Sequence, residues 1–330
     1  MKSLALIDGK LDARLRFCQR RIMPQDDATP PRVTVLMAIH QGARFLPEQL
    51  DSIAAQEGID WRLVVSDDGS TDGGPGIVRD FATAHPGRVA LRNGPRRGAA
   101  ANFRALMADA GGAGFTALAD QDDRWHAGKL ARAAAALRAV PEGMPAIWCS
   151  RVVICDASLA PRGLSRLPRA APSFRHALVQ NMVQGNTLMM NRAALALMRA
   201  ADRLAGPVVM HDWWTYQIVS GAGGRVIFDA RPSVDYRQHG ANAVGSDGPA
   251  AQIARMLRGR HAEWSRQNLA VLTTCAPLLT AENRALLAEF ARLLNGSPAQ
   301  RLAAMRRGGF HRHGAFSQAA LWVAAALGRV

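Results

Sequence analysis

The run Val33-Thr34-Val35-Leu36-Met37-Ala38-Ile39 has no polar alternation at all. A strand written this way must be covered on both faces, as in a parallel sheet. The turn His40-Gln41-Gly42-Ala43 follows, and then a helix over 46–56 that places Leu46, Leu50, Ile53 and Ala54 on one face. Strand, glycine turn and amphipathic helix open a doubly wound α/β fold. The alternation continues with strands over 61–66, 88–92 and 115–119. Helices fall over 75–84, around Asn102 at or near its start, and over 129–140. Beyond Pro141 the pattern predicts paired strands over 146–149 and 152–156, and a loop or flap over 157–175. A strand over 185–190, helices over 192–201 and 211–221, and a strand over 225–228 follow.

Two acidic turns stand at carboxyl ends of strands, where open α/β sheets bind ligands. In Asp120-Gln121-Asp122-Asp123-Arg124-Trp125, Asp120 and Asp122 lie one residue apart and can point the same way. Hard oxygen ligands so placed suit Mg²⁺ or Mn²⁺ shared with phosphate oxygens; the alternative is a solvated turn capping the next helix. An EF-hand is excluded, because its sixth and twelfth positions, counted from Asp120, are Trp125 and Ala131 where Gly and Glu are required. The second turn is Asp67-Asp68-Gly69-Ser70-Thr71-Asp72. Ser66 stands where a haloacid-dehalogenase phosphatase needs its nucleophilic aspartate. What remains is a carboxylate that accepts from a base N–H or a ribose hydroxyl, or a plain turn and helix start. Arg96 and Arg97 suit either a pyrophosphate or water. Gly112 to Ala117 matches the dinucleotide glycine pattern but precedes a strand where the fingerprint follows one, and is discarded.

With 48% apolar residues the chain fills one sizeable core. Cys18, Cys149, Cys155 and Cys275 are scattered without metal-site or disulfide spacing, which fits a reducing cytosol and predicts a cytoplasmic protein. No stretch approaches the roughly twenty apolar residues of a membrane span. Of the net charge of +15, residues 250–330 hold 11 basic against 3 acidic side chains. Aromatics interleaved with those cations, or a module signature, would support nucleic-acid binding, and neither is present. The ending 315–327, with Phe310, Phe316, Leu321 and Trp322 in and before it, suits either an anionic membrane surface or packing on the domain.

These stretches, together with Gly185-Asn186, His211-Asp212-Trp213-Trp214 and Tyr236-Arg237-Gln238-His239-Gly240, occur in the order seen in family 2 glycosyltransferases. The chain most resembles their bacterial rhamnosyltransferase-like branch, over roughly residues 33–245. The first loop departs from the common Thr-Tyr-Asn-Gly, reading Ile39-His40-Gln41-Gly42.

The resemblance implies a GT-A fold, an α/β Rossmann-like, mostly parallel sheet flanked by helices, over 32–245. An amino-terminal extension, 1–31, precedes it and a basic helical region, 246–330, follows. It implies a metal-dependent, inverting transfer of a sugar from an NDP-sugar to a glycan or lipid-linked acceptor. A nucleotide- or glycan-binding protein without catalysis is the alternative on the same scaffold. Asp67 matches the carboxylate that contacts the base, Asp68 shares its pocket, and Asp120 with Asp122 match the motif that holds ribose and metal diphosphate. Asn102 and Arg97 are grouped with the nucleotide-sugar side, and His239 with Asp120 and Asp122 at the metal. Trp213, Trp214, Gly185 and Asn186 are placed on the acceptor side. Asp212 matches the general base, and its position at a helix start, which holds a carboxylate ionised, agrees with that role. The competing reading of Asp212 is a helix cap.

Overall fold

The computed structural model describes residues 29–111, 114–239 and 260–330. Strand β1 (Arg32–Ile39) leads into α1 (Leu46–Ala54). Then come β2 (Asp60–Asp67), α2 (Gly74–Ala84), β3 (Val89–Asn93), α3 (Ala99–Asp109), β4 (Phe115–Ala119), the short β5 (Arg124–Trp125) and α4 (Lys129–Arg138). The next segment holds β6 (Ala146–Cys155), β7 (Pro161–Leu164), α5 (Phe174–Ala177), a 3-10 turn (Gly185–Thr187) and β8 (Met189–Met190). After these come α6 (Arg192–Asp202), α7 (His211–Gly221) and β9 (Arg225–Arg237). Helices α8 (Arg260–Thr274), α9 (Ala281–Asn295), α10 (Pro298–Gly308) and α11 (Ala315–Leu327) follow.

The described strands form one mixed sheet in the order β3-β2-β1-β4-β8-β6-β9-β5, with β7 on β6. β3, β2, β1 and β4 run parallel. Their register aligns Ile39 with Asp67 and Met37 with Ala119, so the carboxyl ends of β1, β2 and β4 reach one edge together. The alternation along β1 sorts the core into two layers. Val33, Val35, Met37 and Ile39 pack with Leu46, Leu50 and Ile53 of α1 and Leu130 of α4. Leu36 joins the opposite layer, with Phe103 and Leu106 of α3 and Trp214 and Ile218 of α7. Phe290, Met305 and Leu321 of α9, α10 and α11 lie in that same layer. The carboxy-terminal helices therefore extend the core behind α7, and residues 31–330 form one compact unit. Among the described residues no helix is long and apolar enough to cross a membrane.

Several elements differ from the sequence pattern, among them β7, which stands within the loop expected over 157–175. The strands predicted over 146–149 and 152–156 are one strand, β6, which runs on through Ser150-Arg151 while β9 takes up the register shift with the extra residues Ala230 and Arg231. The strand predicted over 185–190 is the 3-10 turn and a two-residue β8, since Asn186 turns inward to bond Asp123. The strand predicted over 225–228 continues to Arg237, with Pro232 set at the irregular register opposite Arg151. Residues 1–28 of the amino-terminal extension with Cys18, residues 246–259 of the basic helical region and the boundary at 245–246 lie outside the described residues. Cys149, Cys155 and Cys275 are free and buried.

Candidate active site

Three loops meet at the carboxyl edge of β1, β2 and β4. The side-chain amide of Gln121 pairs with both main-chain groups of His40: His40 N donates to Oε1 and Nε2 donates to His40 O, each at 2.9 Å. A Cβ at Gly42 would overlap the Gln121 amide, so the glycine is a condition of this clasp. Gln41 N donates to Ser70 Oγ at 3.1 Å, and Asp72 Oδ2 accepts from Ala43 N at 2.8 Å. The first loop is thus fastened to both acidic turns. Asp67 Oδ1 accepts from Ser70 N at 3.0 Å, while Asp68 accepts from Arg96 N at 2.8 Å and Gly98 N at 2.7 Å. Asp68 therefore shapes the 94–98 loop, on which Arg97 is exposed. Asn102 corrects the sequence reading: at 0% exposure it donates to Ser66 O at 2.9 Å. It supports the pocket from behind through that bond, while its Oδ1 lies beside Gly94 and Asp68 with no hydrogen-bond partner among the described residues.

A buried cation sits under the acidic loop. Lys129 is 0% exposed; its Nζ donates to Asn186 O at 2.7 Å and lies 3.0 Å from the Trp125 ring centroid. Burial draws its pKa well below the ordinary lysine value, against the pull of Asp123 and Asp120. Asp123, also buried, accepts from Asn186 Nδ2 at 2.6 Å and Arg237 N at 3.1 Å. Burial, and then the charge of Asp122, push Asp123 up to about 7. Asp120 is held well above the usual carboxylate range by burial and by the charges of Asp123, Asp122 and Asp212. This surplus of negative charge around Asp120 is the setting a divalent cation relieves.

His239 Nε2 meets Asp122 Oδ2 at 2.7 Å, which brings a nitrogen and an oxygen donor to one point. Among the described residues no three His, Cys, Asp or Glu side chains are gathered to hold a metal. The predicted trio of Asp120, Asp122 and His239 is corrected to that extent: two donors converge, and Mg²⁺ in such sites takes its remaining ligands from phosphates and water. Arg237 braces the loop from β9. Its Nε donates to Asp122 O at 2.8 Å, its Nη1 to Ala157 O at 2.6 Å, and its Nη2 pairs with Glu48.

Asp212 lies in the first turn of α7, whose N-cap position is Met210, so it is not the cap. Asp212 Oδ1 accepts from Trp213 N at 2.6 Å and Oδ2 from Asn181 Nδ2 at 3.0 Å. A Cβ at Gly185 would lie 3.6 Å from Asp212 Cβ, and the next residue, Asn186, bonds Asp123, so the start of α7 lies beside the acidic loop, where the charge of Asp212 helps to raise Asp120. Next to Asp212, His211 stacks on Phe103 at 4.0 Å, and burial lowers its pKa. Trp213 and Trp214 correct the sequence reading, for each is 2% exposed. Trp213 Nε1 donates to Ala177 O at 2.6 Å and Trp214 fills the core, because α7 is enclosed between the sheet and the carboxy-terminal helices. Gly185 and Asn186 are likewise corrected. A Cβ at Gly185 would sit 2.8 Å from His211 Nε2, and Asn186 bonds Lys129 and Asp123; both build the wall and face no acceptor.

The family model for Glycosyl transferase family 2 matches residues 34–202. The chain belongs to glycosyl transferase family 2. It is a glycosyltransferase. A dTDP-rhamnosyl transferase, RfbG of Shigella flexneri, is 26% identical over 222 residues, which cover 64% of this chain and 74% of that protein. This likeness accords with the rhamnosyltransferase-like branch. Among solved structures, S. aureus TarS 1-349 in complex with UDP-GlcNAc superposes with a TM-score of 0.54 at 14% identity, over 84% of this chain and 80% of that one. The same protein crystallised as TarS 1-349 gives 0.50 at 15% identity, over 86% and 93%. The fold is GT-A.

In this family 2 enzyme the sequence reading missed Asp123, Lys129, Asn181, Gln121 and Arg237. One signal was present. Of the 41 basic residues only Lys2, Lys10 and Lys129 are lysine. A chain that uses arginine for its solvent charges keeps a single later lysine where a compact ammonium must fit among carboxylates.

Proposed function

We propose that this glycosyltransferase moves a sugar from a nucleoside diphosphate carrier to a saccharide or lipid-linked acceptor, with inversion at the anomeric carbon, in surface-polysaccharide synthesis. Its likeness to a dTDP-rhamnosyl transferase favours rhamnose. The observation that carries this reading is Asp212, presented by α7 beside the Asp120–Asp123 loop and aimed by Asn181.

In the proposed reaction Asp212 takes the proton of the acceptor hydroxyl. The hydroxyl oxygen bonds to the anomeric carbon as that carbon's bond to the diphosphate breaks, and the electron pair leaves with the diphosphate. Asp67 takes the base or ribose, with Asp68 shaping its pocket and Arg97 on the adjoining loop toward the diphosphate. Asp122 and His239 would hold a divalent cation, Mg²⁺ or Mn²⁺, which when bound neutralises the charge of the leaving group. The reaction is placed in the cytoplasm, at the inner face of the membrane.

The test is release of NDP from a panel of NDP-sugars with and without Mn²⁺, with the anomeric configuration of the product read by NMR. Inverted product, and loss of transfer in Asp212→Asn with donor binding kept, are expected. Retained configuration, or near wild-type transfer by that variant, overturns the mechanism.

A further inference from the structure

Most of the large apolar side chains left exposed fall on two stretches: Leu164 and Leu167 between residues 161 and 172, and Phe316, Val323 and Leu327 on α11. Both stretches lie in runs that contain no carboxylate. Between Asp156 and Asp202 there are six arginines and no Asp or Glu, and after Glu289 there are again six arginines and no Asp or Glu. The two runs touch just ahead of α11, where Arg169 N donates to His313 Nδ1 at 3.2 Å and His313 N to Gln180 Oε1 at 2.8 Å.

Phe316, Val323 and Leu327 are spaced seven and four residues apart and so share one face of α11, flanked by Ala319, Trp322 and Ala326. The other face, with Leu321, Ala324 and Ala325, enters the core. Phe310 and Leu321, which the sequence pattern places with the amphipathic ending, are both buried. No residue of α11 carries a charge, so this helix is apolar outward as well as inward, where a water-facing helix is polar outward. An open groove of about 440 Å³, lined by Leu167, Pro168, Arg169, Pro172 and Phe228, adds to the apolar surface of the first stretch.

We propose that this surface seats the enzyme on an anionic lipid bilayer. Phe316, Val323 and Leu327 enter the headgroup boundary, and the exposed arginines of the two acid-free runs, Arg166, Arg169 and Arg306, meet lipid phosphates. A second copy of the chain would bring the same positive field to this face and oppose pairing, whereas anionic lipid complements it. The proposal stands apart from the reaction above, because its test reads lipid binding and not sugar transfer.

Co-sedimentation of the full chain is measured with vesicles of phosphatidylcholine alone or mixed with phosphatidylglycerol, at low and high salt. Binding to the anionic vesicles only, weakened by salt, is expected. The Phe316→Ser/Val323→Ser/Leu327→Ser variant, altered only at exposed positions, loses about tenfold or more in partition with an unchanged melting temperature. Arg166→Gln/Arg306→Gln weakens binding at low salt and gives a second, independent readout. Absence of binding to anionic vesicles, or equal partition of the apolar variant and wild type, overturns the proposal. A wild-type dimer that the apolar variant converts to a monomer in light scattering assigns the face to a second copy, and overturns it as well.

Discussion

The side-chain amide of Asn181 donates to Oδ2 of Asp212 at 3.0 Å, while Asn181 Oδ1 accepts from Val183 N at 3.0 Å. The proposed base is therefore aimed by a residue thirty-one positions away that is itself fixed by its own backbone. Asp212→Asn is expected to lower kcat by about 10²–10⁴-fold with donor KM unchanged. Asn181→Ala should lower kcat by about tenfold, the lesser effect of freeing the carboxylate's direction. Asn181→Asp should be worse than Ala, since it sets a like charge beside the base. Steady-state kinetics on the three variants separates the roles, and wild-type kcat in Asn181→Ala would show that the bond aims nothing.

Among the described residues, Lys129 is the cation whose charge opposes the raised pKa of both Asp120 and Asp123. Lys129→Met should destabilise the fold by about 1–3 kcal/mol, because it strips the buried Asn186 carbonyl of its donor and removes the charge that opposes the raised pKa of Asp120 and Asp123. Adding Asp123→Asn should restore part of that loss. Denaturant unfolding of the single and double variants gives the coupling; a strictly additive pair would mean that Lys129 acts only through Asn186 and Trp125.

Asp122→Ala and His239→Ala should each weaken Mn²⁺ binding in the presence of NDP by about tenfold or more, while both proteins fold. Their side chains lie beyond the ends of β4 and β9 and outside the two core layers. Calorimetric titration decides this, and unchanged affinity in both variants removes the two-donor assignment.

Acid should loosen the packing of the carboxy-terminal helices. His176 on α5 lies 4.2 Å from the His313 ring and 5.4 Å from His311, and bonds Tyr216 Oη and Gln180 Oε1 at 3.0 and 3.2 Å. Burial first, and then the positive fields of His313, His311 and Arg312, lower its pKa to about 3. The folded state then binds fewer protons than the unfolded chain between about pH 6.5 and that lowered value. Stability is full above about pH 6.5 and is lost as pH falls, by about 2 kcal/mol between about pH 7 and 5. Denaturation at the two pH values should show this slope in wild type and a flatter one in His176→Gln. An equal slope in both would assign the acid sensitivity to other groups.

What could be read in the sequence followed from burial on two faces. β1 and β4 are unbroken apolar runs because helices cover the sheet on both sides, and the acidic loops follow them directly. The rest depended on partners far along the chain. Lys129 meets Asn186 across 57 positions, and nothing local distinguishes it from a solvated residue at a helix start. Trp213 and Trp214 follow the proposed base and so read as acceptor-side residues; local pattern cannot tell an exposed aromatic pair from a helix enclosed on every side. Ser150-Arg151 separates two predicted strands, and only the pairing with β9, which bulges at Ala230-Arg231, shows them to be one.

Asp123 receives its bond from Arg237, 114 residues downstream, and Asp122 O receives one from the same side chain. The acidic loop is therefore not closed when its own sequence has been made. At about 5–20 residues per second, a nascent chain carries Asp120, Asp122 and Asp123 for about 6–23 s before their brace exists. During that interval the motif is present and the site is not, so the ability to bind a donor arrives with β9 and not with the loop that bears the ligands.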